Sequence, residues 1–267
     1  MQLRIAYAPP THLGELWERL AACDDRGMHV LDDHSGQLHY RSYADWLAEA
    51  KKIAPILHAC RLRRGAPVLV SAETTLDFPA LWIALLWLGC TPVPMPPVSA
   101  LAGQYTFRER IGPLVAHFEH YLCGSHEMKD IQGVIDEQGA STVLIDLSDV
   151  YARAQRPHAL PLPQQARAQW DELAFIQFTS GSTRAPKGIR ITWRNLMHNV
   201  AGIHNRVGVD PRGGGFISWL PLYHDMGLVG KFLHCLLTQT RLVLLSPNAF
   251  ARRPIQFLAL AAAHRVH

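Results

Sequence analysis

The sequence predicts an α/β fold: doubly wound, mostly parallel sheets with flanking helices. Three observations carry that expectation. Apolar runs of strand length alternate with segments of helical periodicity along most of the chain. The uncharged stretch Phe78 to Val98 reads as a buried helix followed by a Pro-rich strand. A dense Ser/Thr/Gly cluster follows the apolar run Leu173 to Phe178, in the position where α/β sheets hold phosphates.

The elements follow in order. Thr11 is placed to cap a first helix, in which Leu13, Leu16, Trp17 and Leu20 repeat at helical spacing. Met28 to Leu31 and Gln37 to Tyr40 form a predicted hairpin around the turn Asp32 to Gly36. Ser42 caps the next helix, with Asp45 three residues on completing a capping box. Trp46, Leu47, Ile53 and Leu57 mark the buried face of that helix, and Pro55 is expected to kink or end it.

Gly65 precedes a strand from Pro67 to Ser71, and a helix from about Leu76 to Leu88 follows. Phe78 to Val98 is long enough to span a bilayer, but four of its five prolines, Pro92, Pro94, Pro96 and Pro97, end any helix early. The helix is left with about 14 residues, too few to cross. Thr91 to Met95 is the next strand, Tyr105 to Phe118 a helix and His120 to Cys123 a short strand. Met128 to Gln138 is a helix leading into the strand Ser141 to Ile145, and Gln155 to Arg167 is an exposed Pro- and Gln-rich connector. After the Ser/Thr/Gly cluster come a helix from Trp193 to about Arg206 with Thr192 as its cap, then a flexible turn at Gly213-Gly214-Gly215. The strand Phe216 to Leu220, the helix His224 to about Leu237, the strand Arg241 to Leu245 and the helix Pro254 to His264 complete the series.

Composition bounds the function class. The chain has 267 residues, 48% hydrophobic and 18% charged, which is ordinary for a globular protein. The net charge of +4 is scattered apart from short runs such as Arg61 to Arg64, so the charged positions read as solvated faces and no nucleic-acid partner is expected. The five cysteines are far apart and suit a reducing cytoplasm. No CxxC or HExxH spacing appears, and no protein metal ligand is expected from the sequence. The N-terminus lacks the apolar core of a signal peptide.

The Ser/Thr/Gly cluster has the chemistry of an anion cradle. Gly181 lets backbone N–H groups approach an anion, Thr179, Ser180, Ser182 and Thr183 add hydroxyl donors, and Lys187 adds a mobile positive charge. The order Lys187-Gly188 is wrong for a Walker A loop. The plainer alternative is a surface Ser/Thr turn. A second candidate is Ser218 to Gly230, where His224 stands at a helix start. An imidazole there can donate to a carboxylate or phosphate in the field of the helix N-terminus. Its plainer alternative is a histidine that caps its own helix.

Thr179 to Gly188 closely resembles the signature loop of the adenylate-forming superfamily: acyl-CoA synthetases, fatty acyl-AMP ligases, luciferases and the adenylation domains of peptide synthetases. The common form has Gly where this chain has Arg184, and Arg at that place is also found in fatty acyl-AMP ligases. Leu220-Pro221-Leu222-Tyr223-His224-Asp225-Met226-Gly227-Leu228 is similar to a motif of the same ligases. Pro92 to Pro97, Ser246 to Phe250 and Arg253-Pro254 agree with it.

The resemblance implies a two-step reaction with ATP and Mg²⁺. A fatty acid becomes an acyl-adenylate, and the phosphopantetheine thiol of an acyl carrier protein then takes the acyl group. By that likeness Thr179, Ser180, Gly181, Ser182, Thr183, Lys187 and Gly188 bind the nucleotide. His224 and Lys187 are the catalytic candidates, and Tyr223, His224, Asp225 and Gly227 face substrate. The fatty chain enters an apolar tunnel beside the helix that starts at His224.

The chain is expected to be about half of such an enzyme, an incomplete N-terminal large domain. One lobe covers 66–194, with the phosphate loop at 179–188; the other covers 1–65 plus 195–267. Adenine, ribose and metal ligands and a C-terminal lysine lie beyond it, in the remainder of the same enzyme or a fused synthase module. Two alternatives stay open: an acyl-CoA synthetase of the same fold, and a non-catalytic nucleotide- or acyl-binding half-domain. The reading is of a cytoplasmic protein without a membrane span.

Overall fold

In the computed structural model, which describes residues 7–100, 104–179, 187–208 and 214–266, the described strands form three sheets. The first has the order β2-β1-β10-β9 and is built from β1 (Gly27–Leu31), β2 (Leu38–Ser42), β9 (Gly215–Ser218) and β10 (Arg241–Leu244). Here β1 pairs antiparallel with β2 and parallel with β10, which pairs parallel with β9. The second sheet, β4-β3-β5-β6, is parallel throughout and uses β3 (Pro67–Ser71), β4 (Thr91–Met95), β5 (His120–Cys123) and β6 (Val143–Asp146). The third is the antiparallel hairpin of β7 (Leu173–Thr179) and β8 (Lys187–Thr192), with β7 alongside β4.

The helices are α1 (Leu13–Ala21), α2 (Tyr43–Ala59), α3 (Phe78–Leu88), α4 (Gln104–Val115), α5 (Met128–Gln138), α6 (Leu147–Ala154) and α7 (Trp193–Val207). Next come α8 (Asp225–Gly227), a π-helical turn (Leu228–Leu233) and α9 (His234–Thr238), then α10 (Pro247–Arg252) and α11 (Pro254–His264). The mostly parallel, doubly wound architecture expected from the sequence is present. Among the described residues, no helix is long and apolar enough to cross a membrane.

Local chemistry explains most boundaries. Ser42 and Asp45 form the expected capping box at α2. Pro55 does not end that helix, which runs on to Ala59. The cap of α1 is His12 rather than Thr11: His12 Nδ1 accepts from Glu15 N–H at 3.2 Å, while Thr11 sits one residue outside and binds the Glu15 carboxylate. All eleven residues of α3 are buried, and the helix stops at Gly89 in the left-handed region, φ 70°. The connector after α6 is exposed along most of its length but pinned near its end. Trp87 Nε1 donates to Pro163 O at 2.9 Å, and Ala166 N–H donates to Trp87 O at 2.8 Å.

The main core lies between the sheets and includes α2, α3 and the face of α7. Tyr43 ties its far ends together. Its buried hydroxyl donates between the carbonyls of Cys235, at 2.8 Å, and Thr240, at 2.6 Å, joining the start of α2 to the α9–β10 turn. Tyr43→Phe leaves the Thr240 carbonyl without this donor. It is expected to lower the unfolding free energy by about 1–3 kcal/mol, read as a shift of the urea midpoint at unchanged slope.

Candidate functional site

The site is organised by one polar side chain in an apolar strand. β7 is apolar from Leu173 to Phe178 except for Gln177, which is 7% exposed. A buried amide must find a partner, because its desolvation is otherwise uncompensated. Gln177 Nε2 donates to the Tyr223 carbonyl at 2.7 Å, and Oε1 finds no donor among the described residues. The strand that leads into the Ser/Thr/Gly loop is thereby fixed to the turn that carries His224. Thr179 stands two residues beyond Gln177, so its side chain leaves the same face of the strand.

The loop does not lead straight into a helix, as expected from the sequence. It closes the β7–β8 hairpin, with Thr179 and Lys187 as the last paired residues. The alternation of Ile189 and Ile191 with Gly188, Arg190 and Thr192 makes a strand of Lys187–Thr192, and α7 starts only after it. Thr192 caps α7 as anticipated, in a capping box with Asn195. Ser180, Gly181, Ser182 and Thr183, with Arg184, lie outside the described residues. Lys187 is exposed and has no carboxylate partner among the described residues. Gly188 lies under the cross-strand Phe178 ring, where a Cβ would come within 3.2 Å of ring carbons, so its smallness serves packing.

His224 occupies the cap position of the next helix in extended conformation, φ −111° and ψ 145°. Its carbonyl accepts from Leu228 N–H at 2.8 Å, but its side chain does not cap the helix. Instead Nδ1 lies 2.8 Å from Asp225 Oδ1, which also accepts from Met226 N–H at 2.7 Å. The His224 hydrogen bond is the main cause holding the Asp225 carboxyl below its ordinary range, with the Met226 N–H adding to it. An ionised Asp225 accepts, so Nδ1 carries the proton. Nε2 can then donate only when the ring is an imidazolium.

Tyr223 is half-buried with its ring against the main core, and it contributes its carbonyl to Gln177. Gly227 is buried where α8 meets the preceding turn. A Cβ there would overlap the Pro221 carbonyl oxygen and come within 2.8 Å of the Leu220 oxygen. Gly227 is thus the residue that lets the His224 turn close.

Beside this turn runs an open groove of about 360 Å³. Phe175 and Ile191 of the hairpin, Ile203 of α7, and Met226, Val229 and Gly230 line it, together with the polar Asn195, Asn199 and Asp225. Val229 and Gly230 belong to the π-helical turn, a distortion frequent at functional sites. The expected single helix from His224 is thus three segments, α8, the π turn and α9. Gln177, unremarked in the sequence, had a signal: an amide in an otherwise apolar strand has to bond something.

Two outcomes test this geometry. The Asp225 carboxyl is expected to titrate below about 3.9. A depressed folded-state value means that the pair's contribution is present above the unfolded value and is lost as pH falls through the folded one. A carboxyl NMR titration reads this directly, and His224→Ala should move the midpoint back up. Gly227→Ala should displace the turn, at a cost of about 1–3 kcal/mol in urea unfolding.

The chain is similar to known proteins in sequence and in fold. The model of the AMP-binding enzyme family matches residues 21–267. A putative acyl-CoA synthetase of Caulobacter vibrioides is 33% identical over 245 residues, 90% of this chain and 41% of that protein. The probable long-chain-fatty-acid–AMP ligase FadD30 of Mycobacterium tuberculosis is 34% identical over 216 residues, 78% of this chain and 35% of that protein. A solved structure from work on fatty acyl-adenylate ligases of E. coli and L. pneumophila superposes with a TM-score of 0.80 at 28% identity, covering 100% of this chain and 46% of that one. The chain therefore spans less than half the length of these relatives. With strand β7, the loop after it and the His224 turn all within the matched region, the chain belongs to the AMP-binding enzyme family.

Proposed function

We propose that this chain supplies the phosphate-binding and acyl-binding surfaces of a ligase that activates a fatty acid with ATP. The observation that carries the reading is the Gln177–Tyr223 hydrogen bond, which couples the loop's strand to the His224 turn beside an apolar groove. The substrate has an anionic head and an apolar tail; Lys187 and His224 supply hydrogen-bond donors for the head, and the groove supplies an apolar lining for the tail. In this reading the domain has the two lobes named above, 66–194 and 1–65 plus 195–267.

The chemistry follows from the groups present. A carboxylate oxygen of the fatty acid attacks the α-phosphorus of ATP, the bond to the bridging oxygen breaks, and pyrophosphate leaves with that electron pair. Thr179, Ser180, Gly181, Ser182, Thr183 and Gly188 bind the departing phosphates, and Lys187 offsets their charge. Asp225 holds the His224 ring by Nδ1, so that Nε2 of the imidazolium donates to the oxygen on which charge develops. The acyl chain lies in the groove against Phe175, Ile203 and Val229. Mg²⁺ accompanies ATP as its chelate and supplies further charge neutralisation.

The acceptor of the acyl group is proposed to be the thiol of an acyl carrier protein. Support comes from the medium-chain-fatty-acid–[acyl-carrier-protein] ligase TtuA of Teredinibacter turnerae, 43% identical over 99 residues. The Caulobacter vibrioides relative favours a second reading, with coenzyme A as acceptor.

The test is fatty-acid-dependent ATP–pyrophosphate exchange by the intact protein. Exchange that saturates with fatty acid is expected, and His224→Ala should lower kcat by about 10²–10³-fold, with a small change in the KM for ATP. No exchange at any chain length overturns the enzyme reading and leaves a binding role. Thioester formation on carrier protein or on coenzyme A then separates the two acceptors.

A further inference from the structure

The second parallel sheet holds a cluster that the adenylation chemistry does not use. Its strand order reverses between β3 and β5, since the chain moves from β3 to β4 on one side and returns to β5 and β6 on the other. In open α/β sheets the crevice outside the carboxyl ends of the strands at such a reversal is where ligands bind. Glu73 follows β3 by two residues, and His126 and Glu127 follow β5. One imidazole nitrogen and one carboxylate oxygen from each glutamate lie within 4.8 Å of one another.

Glu127 is the telling member. It is 1% exposed and stands at the cap position of α5, yet its side chain does not cap that helix. Oε1 accepts from Val98 N–H at 2.7 Å, in the segment after β4. Oε2 is buried and has no partner among the described residues. A buried carboxylate oxygen left unbonded is costly, and a second carboxylate close by adds repulsion. His126 Nε2 and Glu73 Oε1 are 3.2 Å apart. That is close to the edge of a tetrahedron with bonds of about 2.0–2.1 Å.

We propose that Glu73, His126 and Glu127 form a binding site for one divalent transition-metal ion of the zinc class. The ion gives Glu127 Oε2 its missing partner, joins the ends of β3 and β5, and through Glu127 holds the Val98 segment beside β4. One imidazole and two carboxylates suit zinc, with water completing the coordination shell. The adenylation steps proposed above use none of these three residues.

The test uses the intact protein, stripped with a chelator and titrated with Zn²⁺ by calorimetry. One equivalent per chain is expected, with a rise in the thermal unfolding midpoint. Glu127→Gln and His126→Asn should each weaken binding at least tenfold and abolish that rise. Gln keeps the acceptor for Val98, and His126 is exposed, so His126→Asn decides the matter should Glu127→Gln fold poorly. Co²⁺ should give a visible absorption band that the variants lose. No stoichiometric binding, or binding unchanged in His126→Asn, overturns the site and leaves Glu73 and His126 as a plain ion pair.

Discussion

The candidate site depends on a constraint set by burial. Gln177 is buried in an otherwise apolar strand, and its amide has to be bonded there or pay a desolvation cost. The available acceptor is the carbonyl of Tyr223, on a separate segment of chain. That bond ties the end of β7 to the turn of His224, and so to the groove that Asp225 helps to line. Gly227 meets the same constraint from the other side, since the turn can close against Leu220 and Pro221 only where no Cβ intervenes.

The scaffold around the site is rigid for a different reason. α3 has no solvent face, so packing rather than amphipathicity determines its position, and it serves as the floor on which α2 and the sheets are laid. Tyr43 and the pinned connector near Trp87 then close the structure at two separated places. Each of these ties joins residues far apart in sequence.

Much of this was legible in the sequence, and the exceptions have physical causes. β3, β4, β5 and α5 run between the residues the pattern predicts, because Gly65, Gly89 and the prolines give sharp stops. β8 was missed because a short exposed strand carries only two apolar residues, and Thr192 announced the helix behind it more loudly. α6 and α10 were missed because short helices show too little periodicity. The His224 motif does start a helix, but the pairing of His224 with Asp225 leaves no sequence signal, since adjacent residues do not usually face each other in a helix. In this chain the φ and ψ of His224 are extended, and that places the two side chains together. The Glu73, His126 and Glu127 group was invisible, because the spacing shows no pattern until the sheet brings two strand ends side by side.

The register of the first sheet has a consequence for how the protein is made. Met28, His29 and Val30 pair with Leu242, Val243 and Leu244, about 210 residues later in the chain. At ribosomal rates of about 5–20 residues per second, on the order of 10–40 s separates their synthesis. During that interval the β1–β2 hairpin exposes an edge with nothing to add to it, while the second sheet, whose strands lie close in sequence, can already assemble. The nascent chain therefore carries the open edge of β1 until β10 is made, and protection by a chaperone is of most use there.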